Sequence, residues 1–181
     1  MDGMAGQYCC KISFQQGRVD LVRALEPAVS ALLEAFLKKN GSFPSNIVIY
    51  RDGVGDGSFC NVLEQELPAI KSAIAEELAR QGNLKFQIQV AIIVCQKRHN
   101  SRFVFKDGSE FINLCPGVCI DSNASQDCAV VSATVNEFYI NSHVAIQGTA
   151  KPCRYSLLYD EIGFRVRALS CRLVLYLLSL S

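Results

Sequence analysis

The sequence lacks the compositional marks of several protein classes. Glycine and proline are not enriched, with 12 and 5 among 181 residues, which excludes a collagen-like chain and a low-complexity disordered chain. An excess of one charge is also missing, because 18 Lys and Arg residues stand against 17 Asp and Glu residues. Any binding of an anionic partner must therefore come from local clusters of cations. With 50% hydrophobic residues, the chain has the composition of one ordinary globular domain.

Signals for secretion and membrane insertion are missing as well. The start, MDGMAGQYCC, has no basic stretch followed by an apolar run, as a signal peptide would. The apolar segment LVLYLLSLS over residues 173–181 is shorter than the roughly 20 residues that span a bilayer. We predict no membrane partner and interpret this segment as a packed helix end. A terminus altered by a gene model or by splicing is the alternative.

The nine cysteines show no evenly repeated framework and no CxxC pair. An odd count without such a framework predicts reduced thiols in an intracellular protein. We expect the cytoplasm, with the nucleus as the alternative. Cys115, Cys119 and Cys128 come nearest to a zinc cluster, but no CxxC or HxxxH accompanies them. Buried structural thiols are therefore favoured over metal ligands.

Hydrophobic periodicity predicts an α/β fold. Alternating apolar residues indicate a first strand, and later apolar runs with β-branched residues indicate buried strands. Helical spacing begins near Val19, although Pro27 indicates a kink or a later start at Glu26. The predicted elements are a strand over 8–14, a helix over 19–39, a strand over 46–50, a helix over 58–80 interrupted at Pro68, and a strand over 86–95.

The second half of the chain contains shorter predicted elements. Strands are expected over 103–105, 117–120, 137–141 and 155–159, followed by a helix over 163–181. No internal repeat and no linker divides the chain. The sequence therefore predicts a single domain over residues 1–181, in which functional groups gather where strands end.

Asp52 follows the predicted strand 46–50 within the glycine-rich segment RDGVGDG. Glycines let backbone and substrate approach closely, and a carboxylate supplies an oxygen ligand for a hard divalent cation. An aspartate in this position could equally cap the turn or the following helix. The local sequence leaves both readings open.

A basic cluster follows the next predicted strand. Lys97, Arg98, His99 and Arg102 stand at its end, where they could neutralise phosphates. Lys151 and Arg154 add positive charge further along, and His143 lies beside another strand end. Taken alone, the cluster is more typical of a solvated charged loop, and an isolated histidine is more typical of a structural role.

Three segments stand in the order and spacing of one family: IVIYRDGVGDGSF, VCQKRHNSRF and FYINSHVAIQGTAKPCRYSLLYDE. They resemble the PIWI domain of Argonaute proteins, and the upstream YCCKISFQQGRVDLV is similar too. His143 with Ile146 resembles the Argonaute branch more than the Piwi branch. The resemblance covers nearly the whole chain. It implies a ribonuclease H-like mixed sheet flanked by helices, here without its central first strand.

The resemblance also implies a chemistry. Family members bind a small guide RNA, pair it with a target RNA and, when active, cut the target with two metal ions, Mg²⁺ or Mn²⁺. Asp52 matches the third of the family's four metal-binding residues. Asp20 stands at the position of its glutamate and is shorter by one methylene; as a residue at a helix start it has a structural explanation as well. The other two positions have no counterpart, so Asp52 and Asp20 are the predicted catalytic and metal-binding residues of an incomplete site.

The predicted RNA contacts are more complete than the predicted catalytic set. By the resemblance, guide phosphates are held by Lys97, Arg98, Arg102, His143 and Lys151, where Lys151 replaces the usual arginine and loses its planar fork. We therefore expect a partial PIWI domain that binds guide and target RNA without cutting. The alternative is an active metal-dependent endoribonuclease that uses Asp52, Asp20 and a further carboxylate such as Asp160. Binding of tryptophan-containing partner peptides is a third expectation.

Overall fold

The computed structural model describes residues 8–17, 19, 21–121 and 136–164. Within these ranges the helical elements are α1 (Leu25–Asn40), a 3₁₀ turn (Asp56–Ser58), α2 (Phe59–Asn61), a π turn (Val62–Glu66) and α3 (Leu67–Arg80). The strands are β1 (Asn46–Asp52), β2 (Gln89–Gln96), β3 (Val104–Asp107), β4 (Glu110–Asn113), β5 (Cys119–Asp121), β6 (Asn136–Ile140) and β7 (Cys153–Asp160). None of the helices in this part of the chain is long and apolar enough to cross a membrane.

Helix α1 has clear signals at both ends. It begins at Leu25, next to the later start that Pro27 indicates, because proline is tolerated in the first turn of a helix. At its other end Gly41 adopts a left-handed conformation with φ of 71° and donates its N–H to the carbonyl of Leu37. Glycine has no Cβ to oppose this conformation. The helix therefore ends where the sequence predicts.

The chain is helical without a break from Asp56 to Arg80. Pro68 does not interrupt it, although proline donates no backbone N–H. It lies at the start of α3, directly after the π turn, where the hydrogen-bond pattern of the helix changes. Glu66, at the end of the π turn, is buried and accepts the backbone N–H of Val22 at 2.9 Å. A buried carboxylate thus fastens the segment before α1 to this helical run.

Five strands form one sheet in the order β1, β2, β7, β6, β5, and β3 and β4 form a separate hairpin. β7 pairs antiparallel with β2 and with β6, and β6 pairs antiparallel with β5. The centre of the sheet is buried, with Ala91 to Val94 and Phe138 to Ile140 almost fully inside. The strands predicted over 46–50, 86–95, 103–105, 117–120, 137–141 and 155–159 are all confirmed, with shifted bounds.

Other predictions about the elements fail. The strand over 8–14 is wrong: residues 8–14 form no strand, and Ile12 and Phe14 are 76% and 97% exposed. Strand β4 was not predicted, although the sequence carries its turn signal. β3 and β4 are joined by Gly108 and Ser109, and Gly108 has a φ of 57°, as two-residue hairpin loops require. The helix over 163–181 lies outside the described residues, apart from Gly163 and Phe164, which are not helical.

The chain divides into two compact units. The first contains residues 1–48 and 55–90, with α1 and the helical run. The second contains residues 49–54 and everything from Ala91 onward. The second unit therefore includes all the predicted site residues except Asp20.

Candidate nucleic-acid interface

Asp52 and Lys97 meet at the ends of neighbouring strands. Asp52 is the last residue of β1, and Lys97 directly follows β2. The Lys97 ammonium donates to Oδ2 of Asp52 at 2.6 Å. This hydrogen bond lowers the pKa of Asp52 and raises the pKa of Lys97, because each charge stabilises the other. The predicted acidic residue and the first predicted cation are therefore in direct contact.

Gln96 connects the loop after Asp52 to the rest of the sheet. Its amide Nε2 donates to the carbonyl of Val54 at 3.0 Å, and its Oε1 accepts from Nη1 of Arg154 at 3.0 Å. Gln96 also pairs with Arg154 in the register of β2 and β7. One side chain thus positions the glycine-rich loop relative to the start of β7.

The basic segment after β2 contains one structural residue. His99 is half-buried and donates from Nε2 to the carbonyl of Pro152 at 2.7 Å. Its ring packs edge-on against Tyr139, with 5.4 Å between the centroids. Arg98 and Arg102 are exposed, and Nη1 of Arg102 donates to the carbonyls of His99 and Ser101. His99 therefore joins this segment to the one that contains Lys151.

The loop from Asn141 to Ala150 is held by two asparagines. Asn141 is buried and donates from Nδ2 to the carbonyl of Leu114 at 2.8 Å. Asn113 donates from Nδ2 to the carbonyl of Gly148 at 2.8 Å and accepts the N–H of Ala150 at 2.9 Å. His143 within this loop is exposed, as is Lys151 directly after it.

Arg154 does not add to the surface charge, contrary to the interpretation from sequence. Its guanidinium is 16% exposed and donates from Nη2 to Oε1 of Glu137, which is 1% exposed. Ser156 lies beside the same carboxylate oxygen at 3.5 Å. A buried charge requires a partner of opposite sign, and Glu137 supplies it. Arg154 is thus part of the sheet's interior.

The carboxylate of Asp160 is occupied by the turn after β7. It accepts the backbone N–H groups of Ile162, Gly163 and Phe164, at 2.9, 3.0 and 2.6 Å. Three such bonds explain Asp160 as a turn-capping residue. Its suggested part in a cutting site finds no support in this geometry.

The cysteines differ in their surroundings. Cys115 is exposed and Cys119 is half-buried, so the prediction of buried thiols is wrong for Cys115, while Cys128 lies outside the described residues. Burial raises the pKa of the Cys95 thiol to about 12 and also raises the pKa of Cys153. Both thiols are protonated near neutral pH, and thiols in that state are poor nucleophiles and poor metal ligands.

The described residues do not fit the two metal ions that a slicing site would hold. Within the described ranges no three His, Cys, Asp or Glu side chains gather in a way that could bind a metal ion. Asp52 is paired with Lys97, and Asp20 lies outside these ranges. The pairing of Asp52 with Asp20 at a metal site stays a prediction.

With this geometry established, comparison with known proteins identifies the family. The family model described as the Piwi domain matches residues 1–180. The chain belongs to the Piwi domain family. Three solved structures of this kind are similar to it over most of its length.

The C-terminal lobe of a budding yeast Argonaute is 28% identical, with a TM-score of 0.69 over 80% of this chain and 30% of its own. Drosophila Piwi is 30% identical, with a TM-score of 0.67 over 81% of this chain and 18% of its own. An Argonaute of Kluyveromyces polysporus, solved with a guide RNA, is 26% identical, with a TM-score of 0.71 over 84% of this chain and 19% of its own.

These likenesses confirm the ribonuclease H-like α/β fold with a mixed sheet and helices. The chain spans less than a third of the length of these solved relatives. It corresponds to part of a Piwi domain protein, as the sequence predicts.

Sequence reasoning missed Gln96, Asn113 and Glu137. Gln96 stands inside the motif VCQKRHNSRF, but its side chain is uncharged and therefore carries no signal for a phosphate contact. Asn113 is the last residue of β4, a strand that the sequence analysis does not predict. Glu137 is a charged residue directly before the apolar run FYI in NEFYI, and a charge in such a strand is a signal for a buried ion pair.

Proposed function

We propose that this chain is part of a small-RNA-guided gene-silencing protein and binds the phosphate backbone of guide RNA and of the guide-target duplex. The observation that carries the proposal is that the end of β2 lies beside the start of β7 in the second unit. Gln96 pairs with Arg154 in an antiparallel register, so the segment after β2 and the segment before β7 lie at the same end of these two strands. We call this end of the strands the basic edge. That edge carries Lys97, Arg98 and Lys151.

The chemistry of this edge suits a polyanion. Lys97, Arg98, Arg102 and Lys151 are exposed, and lysine and arginine side chains bind phosphate oxygens without reading base sequence. The loop with His143 leaves β6 at the residue paired with the start of β7, so it begins at the same edge. The guide RNA in the Kluyveromyces polysporus relative supports RNA as the partner.

We further propose that the chain does not cut RNA on its own. Among the described residues no three metal-binding side chains gather around Asp52, and the suggested Asp160 accepts three backbone N–H groups. With Mn²⁺ present, a guide-paired RNA should therefore stay intact on incubation with the full chain. Cleavage that Asp52→Asn abolishes would contradict this and establish the alternative, a metal-dependent endoribonuclease.

Binding is tested by fluorescence anisotropy with a labelled guide-length RNA and the full 181-residue chain. We expect the double variant Lys97→Ala, Arg98→Ala to bind roughly tenfold more weakly, because two exposed charge contacts are lost. Lys85→Ala is the matched control: Lys85 is also exposed, but it precedes β2 instead of following it. Equal weakening in the control and in the double variant would contradict the proposal.

A further inference from the structure

The ammonium of Lys97 already has an anionic partner in the protein. It lies 2.6 Å from Oδ2 of Asp52, and the two side chains are 69% and 59% exposed. The pair therefore sits where a strand of RNA bound at this edge could approach it. An exposed ion pair is weak, since water screens the attraction and two flexible side chains must be ordered.

A carboxylate and a phosphate diester present the same kind of group to lysine. Both offer anionic oxygens that accept hydrogen bonds, and the lysine ammonium is a compact charge with three donors on a flexible stem. A phosphate that reaches Lys97 therefore competes with Asp52 for the same donors and the same charge. Because the existing pair is weak, a phosphate displaces Asp52 at a small cost in free energy.

The neighbouring cations are in a different situation. Nη1 of Arg102 donates to the neutral carbonyls of His99 and Ser101, which leaves its charge without an opposing carboxylate. Within the described ranges, Lys97 is the one predicted RNA-binding side chain with a carboxylate ion pair. A carboxylate partner is thus present at one position of this edge.

We propose that Asp52 is an internal competitor for phosphate at Lys97, and that its carboxylate restrains the RNA affinity of this edge. The inference rests on the proposed RNA binding and adds a function for Asp52 that involves no bond cleavage. Removal of the Asp52 charge should strengthen RNA binding. If Asp52 served only as a ligand for a catalytic metal, its removal would abolish cutting and would not strengthen binding. Asp52 is here a positioning residue that acts through Lys97.

A double-mutant cycle tests this inference. The full chain, Asp52→Asn, Lys97→Ala and the combined variant are compared for guide-length RNA by fluorescence anisotropy at about 50 mM salt, where exposed charges are weakly screened. We expect Asp52→Asn to tighten binding about two- to fivefold in the original chain and less than about 1.5-fold in the Lys97→Ala background. Asparagine has the shape of aspartate, and circular dichroism melts of all four proteins verify that they fold.

A charge-matched control separates local competition from a general rise in positive charge. Asp107→Asn also removes one negative charge, from an exposed residue at the end of β3, and should change RNA affinity less than Asp52→Asn does. Equal gains from Asp52→Asn in both Lys97 backgrounds, or no gain in either while Lys97→Ala still weakens binding, would overturn this inference alone. If the unchanged chain binds no RNA, the proposed function fails and the inference fails with it.

Discussion

At the scale of single residues, two ion pairs among the described residues differ in their burial. Asp52 and Lys97 form an exposed pair whose members are open to exchange, whereas Glu137 and Arg154 form a buried pair. Exposed pairs contribute little to stability, but the loss of one member of a buried pair leaves a charge without compensation. The two pairs should therefore respond differently to substitution.

Glu137→Gln should destabilise the fold by about 3 kcal/mol, because the buried guanidinium of Arg154 would lose the charge of Glu137. Urea unfolding followed by circular dichroism measures the change in the free energy of unfolding. The combined variant Glu137→Leu, Arg154→Met removes both charges and should recover much of the loss. If Glu137→Gln unfolds at the same urea concentration as the original chain, the pair does not stabilise the sheet.

The sequence predicts the burial of some residues but not the partners of others, and the difference has a physical reason. The burial of β2 follows from its run of apolar side chains, VAIIVC, because local hydrophobicity decides it. The partner of Glu137 depends on the register of β6 and β7, in which Glu137 pairs with Ser156 and Tyr139 with Arg154. A register is set by residues far apart along the chain, so Arg154 could not be deduced locally as the partner of Glu137.

At the scale of elements, the strand prediction failed where a segment of alternating apolar residues had no neighbouring strand to pair with. Residues 8–14 alternate as a strand does, yet Ile12 and Phe14 face solvent, because a strand is stabilised by a neighbour and not by its own pattern. The strand ends at Asp52 and Gln96 were predicted closely, and with them the edge that carries the basic residues. The contact of Asp52 with Lys97 depends on side-chain conformations, which the sequence pattern does not encode.

The loop from Asn141 to Ala150 provides a test at this scale. Asn113 fixes it through two hydrogen bonds to its backbone, each of which contributes roughly 0.5–1.5 kcal/mol. Asn113→Ala should speed amide hydrogen exchange at Ala150 by about tenfold or more and should weaken RNA binding through the neighbouring Lys151.

The control for this variant is Asn40→Ala, which removes an asparagine bonded within α1 to the carbonyl of Phe36. It should leave the exchange at Ala150 and the RNA affinity unchanged. A second comparison uses Lys151→Ala, in whose background Asn113→Ala should have a smaller effect on affinity. Equal effects in both backgrounds would mean that Asn113 does not act through Lys151.

At the scale of the whole molecule, the net charge of +1 offers no general attraction to RNA. The proposed interface supplies four lysine and arginine side chains for this attraction, namely Lys97, Arg98, Arg102 and Lys151. The number of phosphates they contact is measurable, because each contact with single-stranded RNA releases a condensed counterion. A plot of the logarithm of affinity against the logarithm of salt concentration therefore counts the contacts.

Four contacts predict a slope of about −2.8, at about −0.7 for each phosphate neutralised on a single strand. The measurement is anisotropy with guide-length RNA over a series of salt concentrations. The double variant Lys97→Ala, Arg98→Ala should reduce the slope to about −1.4, while Lys85→Ala should keep the original value. A slope that stays the same in the double variant would place the phosphate contacts elsewhere on the chain, since counterion release reports contacts wherever they occur.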